Sequence, residues 1–136
     1  MKIDREKLKN IDKLPADVRR ELALLMNKHD QKTKESKIRS DFLTFVKHVW
    51  PDFIEGRHHK EIADKFNKLA EGKIKRLIIN MPPRHTKSEF GSYLLPAWMV
   101  GKNPKLKIIQ STNTTELSVR FGRKAKALID SPEYQE

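Results

Sequence analysis

The chain has 136 residues, 37% of them hydrophobic and 35% charged, and 29 Lys and Arg against 18 Asp and Glu give a formal net charge of +11. It has no cysteine, which excludes structural disulfides and thiolate metal sites, and no apolar run approaches the roughly 20 residues that a membrane span needs. The positive charge favours a polyanionic partner such as DNA or RNA, although a lysine-rich solvated surface has the same composition.

The first predicted element is a helix that extends to about residue 29. Pro15 suits a first helical turn, and three apolar side chains recur at helical spacing: Val18, Leu22 and Leu25. Residues 30–40 are polar and nearly free of apolar side chains, which fits either a charged linker or a solvated extension of the helix. We therefore predict an N-terminal unit over residues 1–40, made of a helix and a charged linker.

Two short amphipathic helices follow. Ser40 or Asp41 can cap the first, and four apolar side chains share one of its faces: Phe42, Phe45, Val46 and Val49. Pro51 disfavours helix in the residue before it, so this helix ends at Trp50. The second helix runs from about residue 58 to residue 70, with Gly72 as its C-terminal stop. Such apolar stripes usually indicate core packing.

The remaining elements change period. Residues 76–80 and 107–111 are compact apolar runs with β-branched side chains, which predict two buried strands. A helix is expected from Lys87 to about Leu95, with Pro96 kinking it or starting a new one. A further helical pattern covers residues 115–129. The order strand, helix, strand, helix predicts an α/β fold with a parallel sheet and flanking helices, preceded by short N-terminal helices.

The most informative segment is RLIINMPPRHTKSEF, residues 76–90. A predicted strand leads into a tight loop that ends in Lys87 and Ser88, where a helix begins, and backbone N–H groups at a helix start favour a phosphate. Against the pattern GxxxxGK[ST], Met81 and Thr86 occupy the two glycine positions, and a β-branched residue resists the positive φ that glycine tolerates. A simple strand-to-helix turn with a solvated lysine is the alternative.

The string NMPPRHTKSE resembles the variant phosphate loop, PPRHGKSE, of the large terminase subunits of tailed bacteriophages. DFLTFVKHVWPDF and GKIKRLIINMPPRH are similar to the stretch before that loop, and PAWMVGKNPKLKIIQST and ELSVRFGRKAKALIDSPEY to the stretch after it. The resemblance covers residues 41–136 and implies the N-terminal part of a P-loop ATPase domain, ending before its Walker B strand. The sequence departs from the family at Thr86, where glycine is usual.

The resemblance implies roles for individual residues. Lys87 and Arg84 would be catalytic, Lys87 on the β- and γ-phosphates and Arg84 on charge developing at the transferred phosphoryl group, although a loop arginine can also pair with a nearby carboxylate. Ser88 would ligate Mg²⁺ together with ATP. The expected cofactor-binding residues are Pro83, Arg84, His85, Thr86, Lys87, Ser88, Glu89 and His59. For His58 and His59 we expect packing or an adenine contact, because no third metal ligand stands at suitable spacing.

The basic helix over residues 115–129 and the last acidic residues allow fewer assignments. Arg120 and Arg123 could contact DNA or a neighbouring subunit's ATP, or form an ordinary solvated face. The run from Ala127 to Asp130 continues a helical pattern, so it is not a Walker B strand. Since no acidic residue after Ser88 suits the magnesium shell, we expect this polypeptide to bind nucleotide weakly and to hydrolyse it negligibly.

For the complete protein, the resemblance implies an ATP-driven motor that packages double-stranded DNA into capsids, with a C-terminal nuclease later in the chain. The implied partners are DNA, the portal, the small terminase subunit and further copies of the same chain in a ring; no membrane partner is expected. The implied location is the cytoplasm of an infected bacterium. Two other hypotheses remain: another nucleic-acid motor such as a helicase, and a non-catalytic basic module that binds nucleic acid.

Overall fold

The structure, a computed structural model, describes residues 15–135, so residues 1–14 of the predicted N-terminal unit lie outside it. All regular elements of the described part are helical: α1 (Ala16–Ser40), α2 (Phe42–Val49), α3 (Arg57–Ala70), α4 (Lys87–Glu89), α5 (Leu95–Lys102), α6 (Thr115–Ile129) and α7 (Pro132–Gln135), with a π-helical segment (Phe90–Leu94) between α4 and α5. The described chain divides into two compact units, one ending at residue 35 and the other beginning at residue 36.

Helix α1 includes residues 30–40, so of the two possibilities for this polar stretch the helical one is observed. No residue of α1 is buried. Leu24 and Leu25 remain more than half exposed, at 62% and 58%. The apolar side chains at helical spacing, Val18, Leu22 and Leu25, are therefore not part of the core of the described chain, whereas Ile38 near the end of α1 packs against it.

The start of α2 is fixed by a network of side chains from two helices. Asp41 is the N-cap, and its carboxylate accepts from the backbone N–H of Thr44 at 2.8 Å and from the Thr44 hydroxyl at 2.6 Å. Asn67 of α3 donates to the same carboxylate at 2.8 Å and accepts from the backbone N–H of Phe42 at 2.9 Å. Two of the orphan N–H groups at this helix start are thus satisfied, and α3 is tied to α2.

We expect Asp41→Ala to lower the free energy of unfolding by about 1–2 kcal/mol, because it removes the cap and leaves the Asn67 amide without its acceptor. Burial raises the pKa of Asp41, but hydrogen bonds from Thr44 and Asn67 outweigh it and hold that pKa below its ordinary value. This contribution is therefore present above the unfolded carboxyl pKa, about 4, and is lost as the pH falls through the lower folded-state pKa. Urea unfolding at pH 7 and pH 3 measures both effects.

Exposed Asp52, in the turn after α2, is the control position for this prediction. Asp52→Ala should change stability by less than about 0.5 kcal/mol at either pH. Equal losses in the Asp41 and Asp52 variants would show that the network contributes nothing beyond net charge.

The core of the second unit is mainly aromatic. Its buried residues are Phe42, Phe45, Val46, Ala63, Phe66, Phe90, Leu94 and Trp98. The Phe42 ring lies at its centre and meets three others edge-on, at centroid distances of 5.0 Å to Phe66, 5.4 Å to Phe90 and 5.5 Å to Trp98. Edge-to-face contacts at this range are favourable beyond the area they bury. The predicted apolar stripes of α2 and α3 therefore do form core.

The helix predicted from Lys87 to about Leu95 continues to residue 102, with the π-helical segment in its middle. Within that segment the N–H of Leu95 donates to the carbonyl of Phe90, five residues earlier. Pro96, in the first turn of α5, has no N–H to offer the preceding turn, and a widened turn accommodates that missing donor. The helix therefore continues through Pro96, but with a π-helical turn directly before it.

The C-terminal helix α7 docks on the core through Tyr134. The Tyr134 hydroxyl donates to the carbonyl of Ala97 at 2.8 Å, and the ring packs edge-on against Phe45 at 6.0 Å. A Cβ at Gly101 would lie 2.8 Å from the Tyr134 oxygen, so a larger residue at position 101 would displace the Tyr134 hydroxyl.

The predicted α/β fold with a parallel sheet is wrong for the part of the chain that the structure describes. Residues 76–80 and 107–111 are not helical, but they form no strand and exchange no backbone hydrogen bonds. Leu77 and Ile79 pack on the core, whereas Ile78 is 87% exposed and Ile109 is 96% exposed. An apolar β-branched run indicates a preference for extended backbone; a sheet also needs a hydrogen-bonded neighbour, which neither segment has here.

Candidate functional site

The segment that the sequence singled out forms a loop at the start of α4. Two of its residues have positive φ, Arg84 at 65° and Thr86 at 58°. Thr86 is in the left-handed conformation, with ψ 9°, and is the N-cap of α4. Threonine therefore adopts the conformation that a glycine would take at this position, although for a β-branched residue such backbone costs on the order of 1–3 kcal/mol.

Hydrogen bonds from both sides hold the Thr86 side chain. Its hydroxyl donates to the carbonyl of His85 at 2.7 Å, and it accepts from Nε2 of His59 at 2.6 Å. On the other side of the imidazole, Nδ1 of His59 accepts from the backbone N–H of Gly56 at 2.8 Å. Because a backbone N–H can only donate, Nδ1 is the acceptor and Nε2 carries the proton, so His59 is neutral in this arrangement.

His59 is buried on α3, with 5% of its surface exposed. Its ring packs against Phe53 at a centroid distance of 4.8 Å and against Phe90 at 5.1 Å. Burial is the main factor that lowers the pKa of His59; the neighbouring His58 and His85 lower it further, and only Glu55 opposes them. The neutral ring that the hydrogen bonds require is therefore the favoured form near neutral pH.

The loop also presents cations without partners. Arg84 and Lys87 are exposed, and neither forms an ion pair with another residue of the described chain. Within residues 15–135, the backbone N–H groups of Arg84, His85 and Thr86 donate to no backbone carbonyl. Lys87 and Ser88 open a helix, where N–H groups lack an intrahelical acceptor. Residues 84–88 thus combine free amide donors with two positive side chains.

The only carboxylate of the loop segment, Glu89, is already paired. Lys124 of α6 contacts both of its oxygens, at 2.9 Å and 3.0 Å, and lies 5.1 Å from the centre of the Tyr93 ring. Burial, the Glu89 charge and a hydrogen bond to Glu89 together raise the pKa of Tyr93 to about 12. Because Lys124 neutralises Glu89, that carboxylate opposes the positive field of Arg84 and Lys87 less strongly. Sequence reasoning gave Lys124 no such role.

Two further histidines named by the sequence analysis, His85 and His58, lie at the loop. His85 Nδ1 lies 2.9 Å from the carbonyl of Pro83, and its ring is 5.6 Å from that of His58. Nε2 of His58 is buried without a hydrogen-bond partner among the described residues. Although three histidines come together here, no group of three His, Cys, Asp or Glu side chains in residues 15–135 is arranged to hold a metal ion.

Two further basic residues of α6, Arg120 and Arg123, line a groove on that helix. Both are exposed, and Thr115, Glu116 and Val119 line the same open groove of about 510 Å³. The helix ends at Ile129 with Asp130 as its C-cap, so the helical interpretation of residues 127–129 is confirmed. The structure therefore brings His59 to the loop, whereas Arg120 and Arg123 lie in the α6 groove; Lys124 also lines that groove and contacts Glu89 of the loop segment.

In the described residues, no helix is both long and apolar enough to cross a bilayer. Comparisons of the chain with protein-family models, with curated proteins and with solved structures give no match.

Proposed function

We propose that this chain is the N-terminal ATPase segment of a viral terminase large subunit, and that residues 83–89 bind the phosphates of ATP with Mg²⁺. One observation supports the binding site most directly: Arg84 and Lys87 stand unpaired, within the described chain, beside amides that lack backbone acceptors. Cations and convergent amides are the donors that a triphosphate selects. The assignment to the terminase family is based on the sequence blocks around the loop; the helical architecture lends it no support.

The residues present fit a magnesium nucleotide. The Lys87 ammonium would contact the β- and γ-phosphates, the Ser88 hydroxyl would ligate Mg²⁺, and the Arg84 guanidinium would balance phosphate charge. Magnesium would supply charge neutralisation at the phosphate oxygens. Because His59 is buried and occupied on both ring nitrogens, we now assign it to the support of the loop and not to an adenine contact.

In the complete motor, this segment would act with the partners that the family uses. These are double-stranded DNA, the portal, the small subunit and further copies in a ring, in the cytoplasm of the bacterial host. The acidic residues after Ser88 include no candidate for the magnesium shell, and Glu89 is paired with Lys124. We therefore expect nucleotide binding by this polypeptide without measurable turnover.

The test compares Lys87→Ala with Lys105→Ala, since both lysines are exposed and Lys105 lies outside the loop. Isothermal titration with MgATP should give saturable binding to the unmodified chain and to Lys105→Ala, and affinity at least about tenfold lower for Lys87→Ala, the loss of one charge-assisted contact. Equal affinity in all three proteins would rule out the loop as the triphosphate site.

A second function, binding of nucleic acid without nucleotide, is favoured by the α6 groove with its exposed Arg120 and Arg123. In that case duplex DNA affinity should fall steeply with salt and be indifferent to Lys87 and to ATP. Replacing both arginines with glutamine should make the plot of log affinity against log salt concentration less steep, by the amount expected for the loss of up to about two phosphate contacts. This outcome, together with no Lys87-dependent ATP binding, would favour the second function over the first.

A further inference from the structure

We propose that His59 is the positioning residue of the loop: by donating to the Thr86 hydroxyl it holds residues 84–88 in the conformation that receives an anion. That the loop binds phosphate rests on the proposed function, whereas the positioning of the loop by His59 does not. No chemistry at the phosphate is attributed to His59, because its ring is buried and both of its nitrogens are occupied by the protein.

Thr86 needs a side-chain anchor to keep its backbone conformation. Its φ of 58° is a conformation that a β-branched residue rarely adopts and keeps only when its surroundings fix it. The contacts that fix the side chain are the His85 carbonyl and His59 Nε2. The bond to His85 is local and moves with the loop; the bond to His59 spans 27 residues and anchors the loop to α3.

The His59 imidazole is itself held in place. The backbone N–H of Gly56 fixes which ring nitrogen carries the proton, and Phe53 and Phe90 fix the ring plane. A Cβ at Gly56 would lie 2.9 Å from Cε1 of His58 but 3.4 Å from Nδ1 of His59, so glycine at this position leaves room mainly for the His58 ring beside His59. Phe90 begins the π-helical segment directly after α4. His59 therefore contacts the chain both before α4, at Thr86, and after it, at Phe90.

Protonation of His59 would weaken this anchor indirectly: Nε2 would still donate to Thr86, but the Gly56 contact that fixes the ring would be lost. A protonated ring would turn Nδ1 into a donor against the Gly56 N–H and would break that contact. The groups that face His59 are His58 from its own helix, His85 from the loop and Glu55 from the segment before α3. Glu55 is engaged by Lys47 and Lys60, so it is poorly placed to stabilise a charged His59.

A mutant cycle tests the inference through MgATP affinity at pH 7.5. His59→Leu removes the donor and should weaken binding about tenfold, whereas His59→Gln, whose amide can donate from a similar position, should stay within about threefold. Thr86→Gly, which reaches positive φ without a side-chain anchor, provides the reference background for the second half of the cycle. In the Thr86→Gly background, His59→Leu should then change affinity by less than about twofold.

Two further substitutions keep the test interpretable. Thr86→Val removes the hydroxyl that accepts from His59, and it changes no core residue. It should therefore weaken MgATP binding as much as His59→Leu is expected to, and it can be measured even if the His59→Leu protein does not fold. His29→Leu, on exposed α1, is the matched histidine control and should bind as the unmodified chain does. If His59→Leu loses as much in the Thr86→Gly background as alone, or Thr86→Val binds normally, the inference is overturned.

An NMR titration without nucleotide separates this inference from the proposed function. The backbone amide shifts of residues 84–88 should follow the titration of the His59 ring and should lose that dependence in His59→Gln. If they do so while Lys87-dependent ATP binding is absent, the proposed function fails and the positioning role stands. If ATP binds through Lys87 but the amides ignore His59, the proposed function stands and the positioning role is refuted.

Discussion

Replacing Phe42 with alanine is expected to lower the free energy of unfolding by about 3–5 kcal/mol, the usual range for a fully buried aromatic side chain. Phe42 has no exposed surface, and its ring is the common neighbour of Phe66, Phe90 and Trp98. Removing it opens a cavity that rigid rings from three different helical segments cannot easily fill. Since domains are stable by only about 5–15 kcal/mol, a large part of the total would be lost.

Urea unfolding followed by circular dichroism measures this loss. Leu24→Ala provides the control, because Leu24 is 62% exposed on α1 and its truncation should change stability by less than about 0.5 kcal/mol. Phe42→Leu, which keeps much of the volume, should fall between the two. A loss below about 1 kcal/mol for Phe42→Ala would contradict the buried position that the structure gives this ring.

The helices were largely predictable because their signals are local. The stripe from Phe42 to Val49, the Asp41 cap and the range 115–129 all appear in the structure with the expected bounds. Gly72 has φ 73° after α3, as a C-terminal stop requires. Each of these features depends on residues within one or two turns of one another. Spacing along the chain therefore contains the information needed.

The strands could not be judged in the same way. Residues 76–80 and 107–111 have strand composition, but a strand exists only if another segment supplies the opposite row of hydrogen bonds. Composition does not reveal that partner, and Ile78 and Ile109 point to solvent in the structure. The inference from two apolar runs to a parallel sheet assumed a pairing that the described residues do not make.

For the candidate site, the sequence located the loop but not its supports. Lys87, Ser88 and Arg84 are neighbours along the chain, so a motif can find them. The contact of His59 with Thr86 joins residues 27 apart, and that of Lys124 with Glu89 joins residues 35 apart. Such contacts depend on how α3 and α6 pack. Only the β-branched residue at a glycine position indicated that the loop would need support.

The second large expected effect concerns Trp98, whose indole joins α5 to the end of α1. Trp98 is 2% exposed, and its ring N–H donates to the carbonyl of Ile38 at 3.1 Å. Ile38 lies in the last turn of α1, where carbonyls lack intrahelical donors, so the indole satisfies a group that would otherwise be unpaired. Trp98→Ala should therefore lower stability by about 3–5 kcal/mol through both the cavity and the lost hydrogen bond.

Trp98→Phe separates the two contributions. The phenyl ring retains most of the packing against Phe42 but cannot donate, so the loss should be about 1–3 kcal/mol, the penalty for leaving the partly buried Ile38 carbonyl without its donor. Trp50 remains in both variants as a fluorescent probe, and circular dichroism provides the second signal. If Trp98→Phe is as stable as the unmodified chain, the bond to Ile38 contributes nothing and the docking of α5 on the end of α1 depends on ring packing alone.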